Sequence, residues 1–234
     1  MTSSSVANIS EAITRISEAL ALSGFDIAQP FNIGTYNSYA LENPRLPRFP
    51  DFERTEALAL LIGNTRLAWE PFLADYKSQA QTPDNPFDSY AERVVKAALK
   101  DSPMPYKLRF GHHSGDEFVS LLHACEASGF AKVSPANLAI HPKHGLWFGL
   151  RAVAVFDSPP LQSKPQDWVS PCVECARPCK AVTDALMTKH NNDWMACSWQ
   201  ERVSVRDACP VAPDARYSPA QIRYHYSRDR SALK

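Results

Sequence analysis

Residues 140–151 read Ile140-His141-Pro142-Lys143-His144-Gly145-Leu146-Trp147-Phe148-Gly149-Leu150-Arg151, two apolar runs broken by a Pro-Lys-His-Gly turn. Proline and glycine at a tight turn between apolar segments predict a β-hairpin, here joining Asn137–His141 to Leu146–Phe156. Upstream, Tyr106, Leu108 and Phe110 alternate as on a half-buried strand, and Ala57 to Ile62 is apolar enough for a buried one. Helices are predicted between them. Ile9, Ile13, Ile16 and Leu20 form one stripe over Ile9–Ser23, with Asn8 and Glu11 as a capping pair and Gly24 as the stop. Asn64–Tyr76 and the segment opened by Asn85-Pro86 are two more. Ser114–Glu117 has the pattern of a capping box ahead of Phe118, Leu121, Leu122 and Cys125, a helix ended by Gly129. Phe25–Tyr39 reads as extended, and the proline-rich Asn43–Pro50 as loop. A hairpin among alternating strands and helices favours an α+β sandwich with a largely antiparallel sheet over a doubly wound parallel one. No glycine-rich phosphate loop is present, which argues against a Rossmann or P-loop enzyme.

The composition shifts after Asp157. Pro159, Pro160, Pro165 and Pro171 make a connector, and every cysteine but Cys125 follows it. The expected division is a main domain over 1–158 and a Cys/Arg-rich extension over 159–234. Lys plus Arg and Asp plus Glu are 25 each, so there is no basic surplus for non-specific nucleic-acid binding. The longest purely apolar run, Ala57–Ile62, is far short of the roughly 20 residues that span a bilayer. Met1-Thr-Ser-Ser-Ser is not the start of a secretion signal, so a reducing, cytoplasmic compartment is expected, with cysteines as thiols, metal ligands or redox groups.

Three features carry chemistry. Trp147 and Phe148 beside glycines can form a flat apolar wall for a planar ligand, or can simply pack in the core. Arg151, in an otherwise apolar strand, needs an anionic partner, either a local carboxylate or a carboxylate-bearing ligand held bidentately. Cys172, Cys175 and Cys179 form C-x-x-C-x-x-x-C, and Cys197 and Cys209 follow. That spacing suits part of an iron–sulfur site, a four-cysteine zinc site, or unligated thiols. Cys125 shares an apolar helix face with Leu121 and Leu122 and reads as core.

The pattern I-H-P-x-x-G-x-W-F-x-x-R resembles the corresponding hairpin of the CblC family, the decyanases and dealkylases of cobalamin processing. Gly24-Phe25-Asp26 and Tyr36-Asn37 are similar to early signals of that family. Leu122-His123-Ala124 stands where the family has a His-bearing helix. Arg206-Asp207-Ala208 and Arg216-Tyr217-Ser218-Pro219-Ala220-Gln221 resemble its R-D-A and R-Y-S-x-x-Q segments. The resemblance covers most of the chain in order. It implies a nitroreductase-like fold holding base-off cobalamin, with His123 near the nucleotide tail, Ile140 and His141 lining the corrin site and Trp147 also among the cobalamin-binding residues. Arg151, Arg206 and a third arginine, Arg228 or Arg230, would hold glutathione as co-substrate. No side chain need act as nucleophile or acid–base catalyst. The cysteine-rich tail departs from this family and is similar to a reduced form of the iron–sulfur tail of epoxyqueuosine reductase. The implied activity is removal of cobalamin's upper ligand. A non-catalytic carrier delivering cobalamin to an accepting protein, an epoxyqueuosine-reductase-like enzyme and a flavin-dependent nitroreductase relative are the alternatives.

Overall fold

A computed structural model describes residues 3–161 and 168–234, with side chains from residue 8 onward, so Pro165 of the expected connector lies outside the described residues. In chain order the elements are α1 (Ser3–Leu22), β1 (Ile27–Asn32), α2 (Ile33–Glu42), β2 (Leu58–Asn64), α3 (Trp69–Ser78) and α4 (Pro86–Leu99). There follow β3 (Tyr106–Phe110), α5 (Leu121–Ala127), β4 (Lys132–Val133), β5 (Ala139–Ile140), β6 (Gly149–Phe156), α6 (Pro178–Lys189), α7 (Trp199–Asp207) and α8 (Pro219–Ser227). They divide into two compact units, one of residues 1–130 with 149–167, the other of 131–148 with 168–234. The boundary expected at 158 falls inside the first unit, and residues 131–148 group with the C-terminal segment. No helix among the described residues is long and apolar enough to cross a membrane.

The first unit is an antiparallel sheet in the order β1-β2-β6-β3, flanked by helices, which is the mixed α/β architecture expected. Its central strands are covered on both faces. Leu58 to Ile62 and Ala152 to Phe156 are all 0% exposed, which explains their unbroken apolar runs. Helix α1 packs on α4 and β1, and α5 packs on α2 and β6. At the end of β2 a bulge at Ile62/Gly63 shifts the register against β6. A Cβ on Gly63 would stand 2.6 Å from the Gly149 carbonyl oxygen, so only glycine permits that approach. The GFD and YN residues serve this unit structurally. Asp26 accepts hydrogen bonds from the Thr65 amide and hydroxyl, both at 2.7 Å. Asn37 pins the proline-rich loop by donating to the Phe49 carbonyl (3.1 Å) and accepting from its amide (2.8 Å).

The second unit packs α6 on α7 and α7 on α8, with the two-stranded ladder β4–β5 beside them. Arg216 grips Asp207 through two hydrogen bonds of 2.6 and 2.9 Å. Ser218 caps α8 and Pro219 opens it.

Three local expectations are corrected. Residues 33–42 are helical rather than extended, because the Asn32 side chain caps α2 by accepting from the Gly34 amide at 2.9 Å. Ser114 makes no side-chain cap; its turn is a short 3-10 segment, Gly115–Glu117, and α5 starts later, after Ser120. The hairpin is reduced to its turn, a single bridge between His141 and Gly145. Its two apolar arms take different partners, β5 pairing with β4 and β6 with β2 and β3. Between them Leu146 and Trp147 leave strand geometry to bury their side chains in the second unit.

Candidate functional site

In the second unit, segments far apart in sequence close on one indole. Trp147 is 3% exposed and packs with Val203, Tyr217 and Ile222. The guanidinium groups of Arg206 and Arg216 lie 5.9 and 5.3 Å from its ring centre, a cation–π pair from the two arginine motifs. Arg206 also donates to the Leu146 carbonyl. The tryptophan, R-D-A and R-Y-S-x-x-Q signals therefore form one packed knot. Trp147 is its core rather than an open wall.

Beside the knot is a cavity of about 210 Å³ lined by Leu138, Trp194, Arg202, Arg206, His225 and Tyr226. Arg202 Nε is buried there without a hydrogen-bond partner among the described residues. A buried guanidinium with an unmet donor favours an anion. Burial pushes the Tyr226 phenol above its ordinary value, and the adjacent Arg206 partly offsets this. Arg202 carried no sequence signal; only the turn of α7 that places it four residues before Arg206 reveals it. A second hollow of about 270 Å³ shares Leu138 and Trp194 with this cavity.

Ile140 is fully buried with Leu146 and Cys209. His141 is 8% exposed, its ring stacked 4.7 Å from that of His144. Its Nδ1 accepts from the Lys143 amide at 3.2 Å, which requires that nitrogen to be unprotonated. Burial, with the charges of His144 and Lys143, lowers its pKa to about 4. An unfolded histidine titrates near 6.5, so stability from this group is intact above that pH and is lost as pH falls toward 4. The full loss is roughly 3 kcal/mol at 1.36 kcal/mol per unit. Urea unfolding at pH 7 and pH 4.5 is expected to show a larger loss for the native chain than for His141→Gln; equal losses would contradict this.

Four of the five candidate cysteines fall in two apolar clusters, Cys172 with Cys209 and Cys179 with Cys197. Cys172 packs against the cluster that contains Cys209. Burial raises the Cys179 and Cys209 thiols above their ordinary value, and the nearby Cys172 and Cys175 add to both shifts. Cys175 Sγ accepts from the Arg177 amide at 3.4 Å, and the Val211 amide bonds Cys209. Arg177 is left-handed, φ 57°, just before α6 begins. Cys197 shares an apolar cluster with Cys179, but its sulfur lies within 4.8 Å of ligand atoms of His190 and Glu201.

In the first unit, His123 Nδ1 lies 2.6 Å from Ser120 Oγ, and its ring stacks on Tyr39 at 5.2 Å. Arg151 donates from Nε to Asn64 Oδ1 at 2.7 Å and sits 4.5 Å above the Phe87 ring. The bulge in β2 delivers Asn64 to it. Arg230 is exposed in the last 3-10 turn, and Arg228 caps α8 in a left-handed conformation, φ 59°. A hollow of about 480 Å³ in this unit, between α1 and β1, is lined by Ile13, Ser17 and Phe25 among others. His123, Ile140, His141, Trp147 and Arg151 line none of these three cavities.

No protein-family model and no curated protein matches the sequence. Among solved structures the chain is similar to the crystal structure of a C. elegans B12-trafficking protein CblC, a human MMACHC homologue. The TM-score is 0.73 at 18% identity, covering 97% of this chain and 96% of that one. At that identity the likeness is one of fold, and it runs end to end. The neighbour is a member of the CblC family, which the 140–151 stretch and the Arg216–Gln221 segment also resemble.

Proposed function

We propose that this chain binds cobalamin as its substrate in the base-off state and removes the upper axial ligand. The observation that carries this reading is the full-length fold likeness to a B12-trafficking protein in a chain whose sequence independently resembles that family. Two routes are proposed. In dealkylation a glutathione thiolate attacks the carbon bound to cobalt. A carbon–sulfur bond forms, the cobalt–carbon bond breaks with its electron pair passing to cobalt, and the thiol proton goes to solvent. In decyanation, an electron donor would reduce cobalt(III) to cobalt(II), and the cobalt–cyanide bond would break with its electron pair leaving on cyanide.

The protein's part is to hold and aim the thiol. The Arg202–Arg206 cavity, with a buried unmet donor, supports a carboxylate-bearing co-substrate in the second unit. Arg151 and Arg230 are the remaining candidates for glutathione, and His123, Ile140, His141 and Trp147 those for cobalamin, His123 at its nucleotide tail. Ile140 and Trp147 act from within the core, by shaping the main chain that carries their neighbours.

Cys172, Cys175, Cys179 and Cys209 are the residues that would hold one four-iron cluster, which would take four thiolates and could supply electrons for decyanation. Tetrahedral zinc with 2.3 Å bonds would need sulfurs about 3.8 Å apart. A four-cysteine zinc site at the same thiols is the other occupant that the spacing suits. Cys197 stands outside this quartet.

Anaerobic incubation with methylcobalamin and glutathione tests the reading: reduced cobalt and an S-methyl thioether are expected, whereas binding without conversion indicates a carrier. Arg202→Gln is the cleaner probe of the thiol site, since Arg206 also holds the Leu146 carbonyl. It is expected to raise KM for glutathione about 10-fold or more, as loss of a charged hydrogen bond does, with corrinoid affinity little changed. Equal loss of both would remove the thiol-site assignment.

A further inference from the structure

Far in sequence from the cysteine-rich tail, the first unit gathers two imidazoles and a carboxylate at one point. His112 Nε2 lies 2.9 Å from Glu92 Oε1, and His113 Nε2 lies 3.5 Å from the same oxygen. All three ligand atoms fall within 4.8 Å of one another. A tetrahedral ion with bonds of about 2.0–2.1 Å separates its ligands by about 3.3 Å, and the two observed distances bracket that value.

The group is mounted on regular structure. Glu92 is on α4, and the histidines follow directly on β3. Both rings pack on Phe110, at 5.5 and 5.3 Å, and on each other at 4.8 Å. Phe110 is itself 2% exposed. Lys96 engages the other carboxylate oxygen, Oε2, leaving Oε1 to the histidines. On its far side, His113 Nδ1 stands 2.8 Å from Glu117 Oε2 without hydrogen-bond geometry and is otherwise buried and unmet. A carboxylate behind a ligating histidine is the usual outer partner of a bound metal, fixing the ring and raising its basicity.

An ion pair alone accounts for Glu92 with Lys96. His112 Nε2 also hydrogen-bonds Glu92 Oε1 at 2.9 Å, and His113 brings a second Nε2 to the same oxygen, so three ligand atoms converge where Lys96 leaves the carboxylate free. We propose that Glu92, His112 and His113 bind a divalent transition-metal ion of the zinc class, with Glu117 as the outer carboxylate. Imidazole ligands select such ions over Mg²⁺ or Ca²⁺. Side chains 26–30% exposed leave the remaining coordination position to water or a small ligand, the arrangement of an open site rather than a closed structural one. This site is independent of the corrinoid reading.

Cobalt(II) is the probe, because thiolate-bound and imidazole-bound cobalt differ in their absorption. The full chain is expected to take up one cobalt without thiolate charge-transfer bands, beyond any held by cysteine. His112→Asn and Glu92→Gln, both close in size to the native residues, should each lower that uptake by one equivalent or weaken it 10- to 100-fold. Their thiolate bands should be unchanged. Zinc should raise the Tm of the native chain by more than that of either variant. Unchanged cobalt stoichiometry and affinity in both variants, or native uptake accounted for wholly by thiolate bands, would overturn the assignment.

Discussion

Trp147→Ala is expected to destabilise the chain by about 3–5 kcal/mol, the range for deleting a fully packed large aromatic side chain. The indole is 3% exposed and is shared by three segments, α7, the Arg216–Tyr217 turn and α8. Its removal takes away the ring that both guanidinium groups lie against. Trp147→Phe keeps a ring face and should cost clearly less. Urea unfolding followed by far-UV circular dichroism reads both. A loss below about 1 kcal/mol for the alanine variant would mean that the indole is a ligand wall and not the core of the second unit.

Gly145→Ala should cost about 3 kcal/mol from two sources, strain at a positive φ and overpacking. Gly145 has φ +54°, and a Cβ there would lie 2.2 Å from the Val211 carbonyl oxygen. That atom belongs to backbone, so relief requires the chain just after Cys209 to move. Gly115→Ala separates the two contributions. Its φ is +64°, yet nothing stands within 4 Å of the added carbon. The Gly115 variant should lose only about 1 kcal/mol, the strain alone. Equal losses at the two positions would show that the contact with Val211 is not what requires glycine in the turn.

The sheet was legible from residues because its strands are short apolar runs bounded by turn formers, and β2 and β6 each bury both faces. The start of α2 was hidden, since one Asn32 side-chain hydrogen bond decides between helix and extended chain for the next ten residues. The turn at His141–Gly145 was visible, but not that its arms would part. Local pattern fixes a turn, while the partner of each arm depends on Lys132 and Leu60, distant in sequence. In the candidate site, Arg206 and the cysteines stood out by motif and spacing. Arg202 and Glu92 did not, because α7 and α4 create their roles by placing them beside groups that sequence distance conceals. His112-His113 was the one visible trace of the histidine–carboxylate site.

A titration of the full chain with methylcobalamin, followed by visible absorption, addresses the central proposal most directly. Uptake of one equivalent with the spectrum of cobalamin whose lower base has left the metal is the predicted result. No uptake, or uptake with that base still coordinated to cobalt, would contradict it.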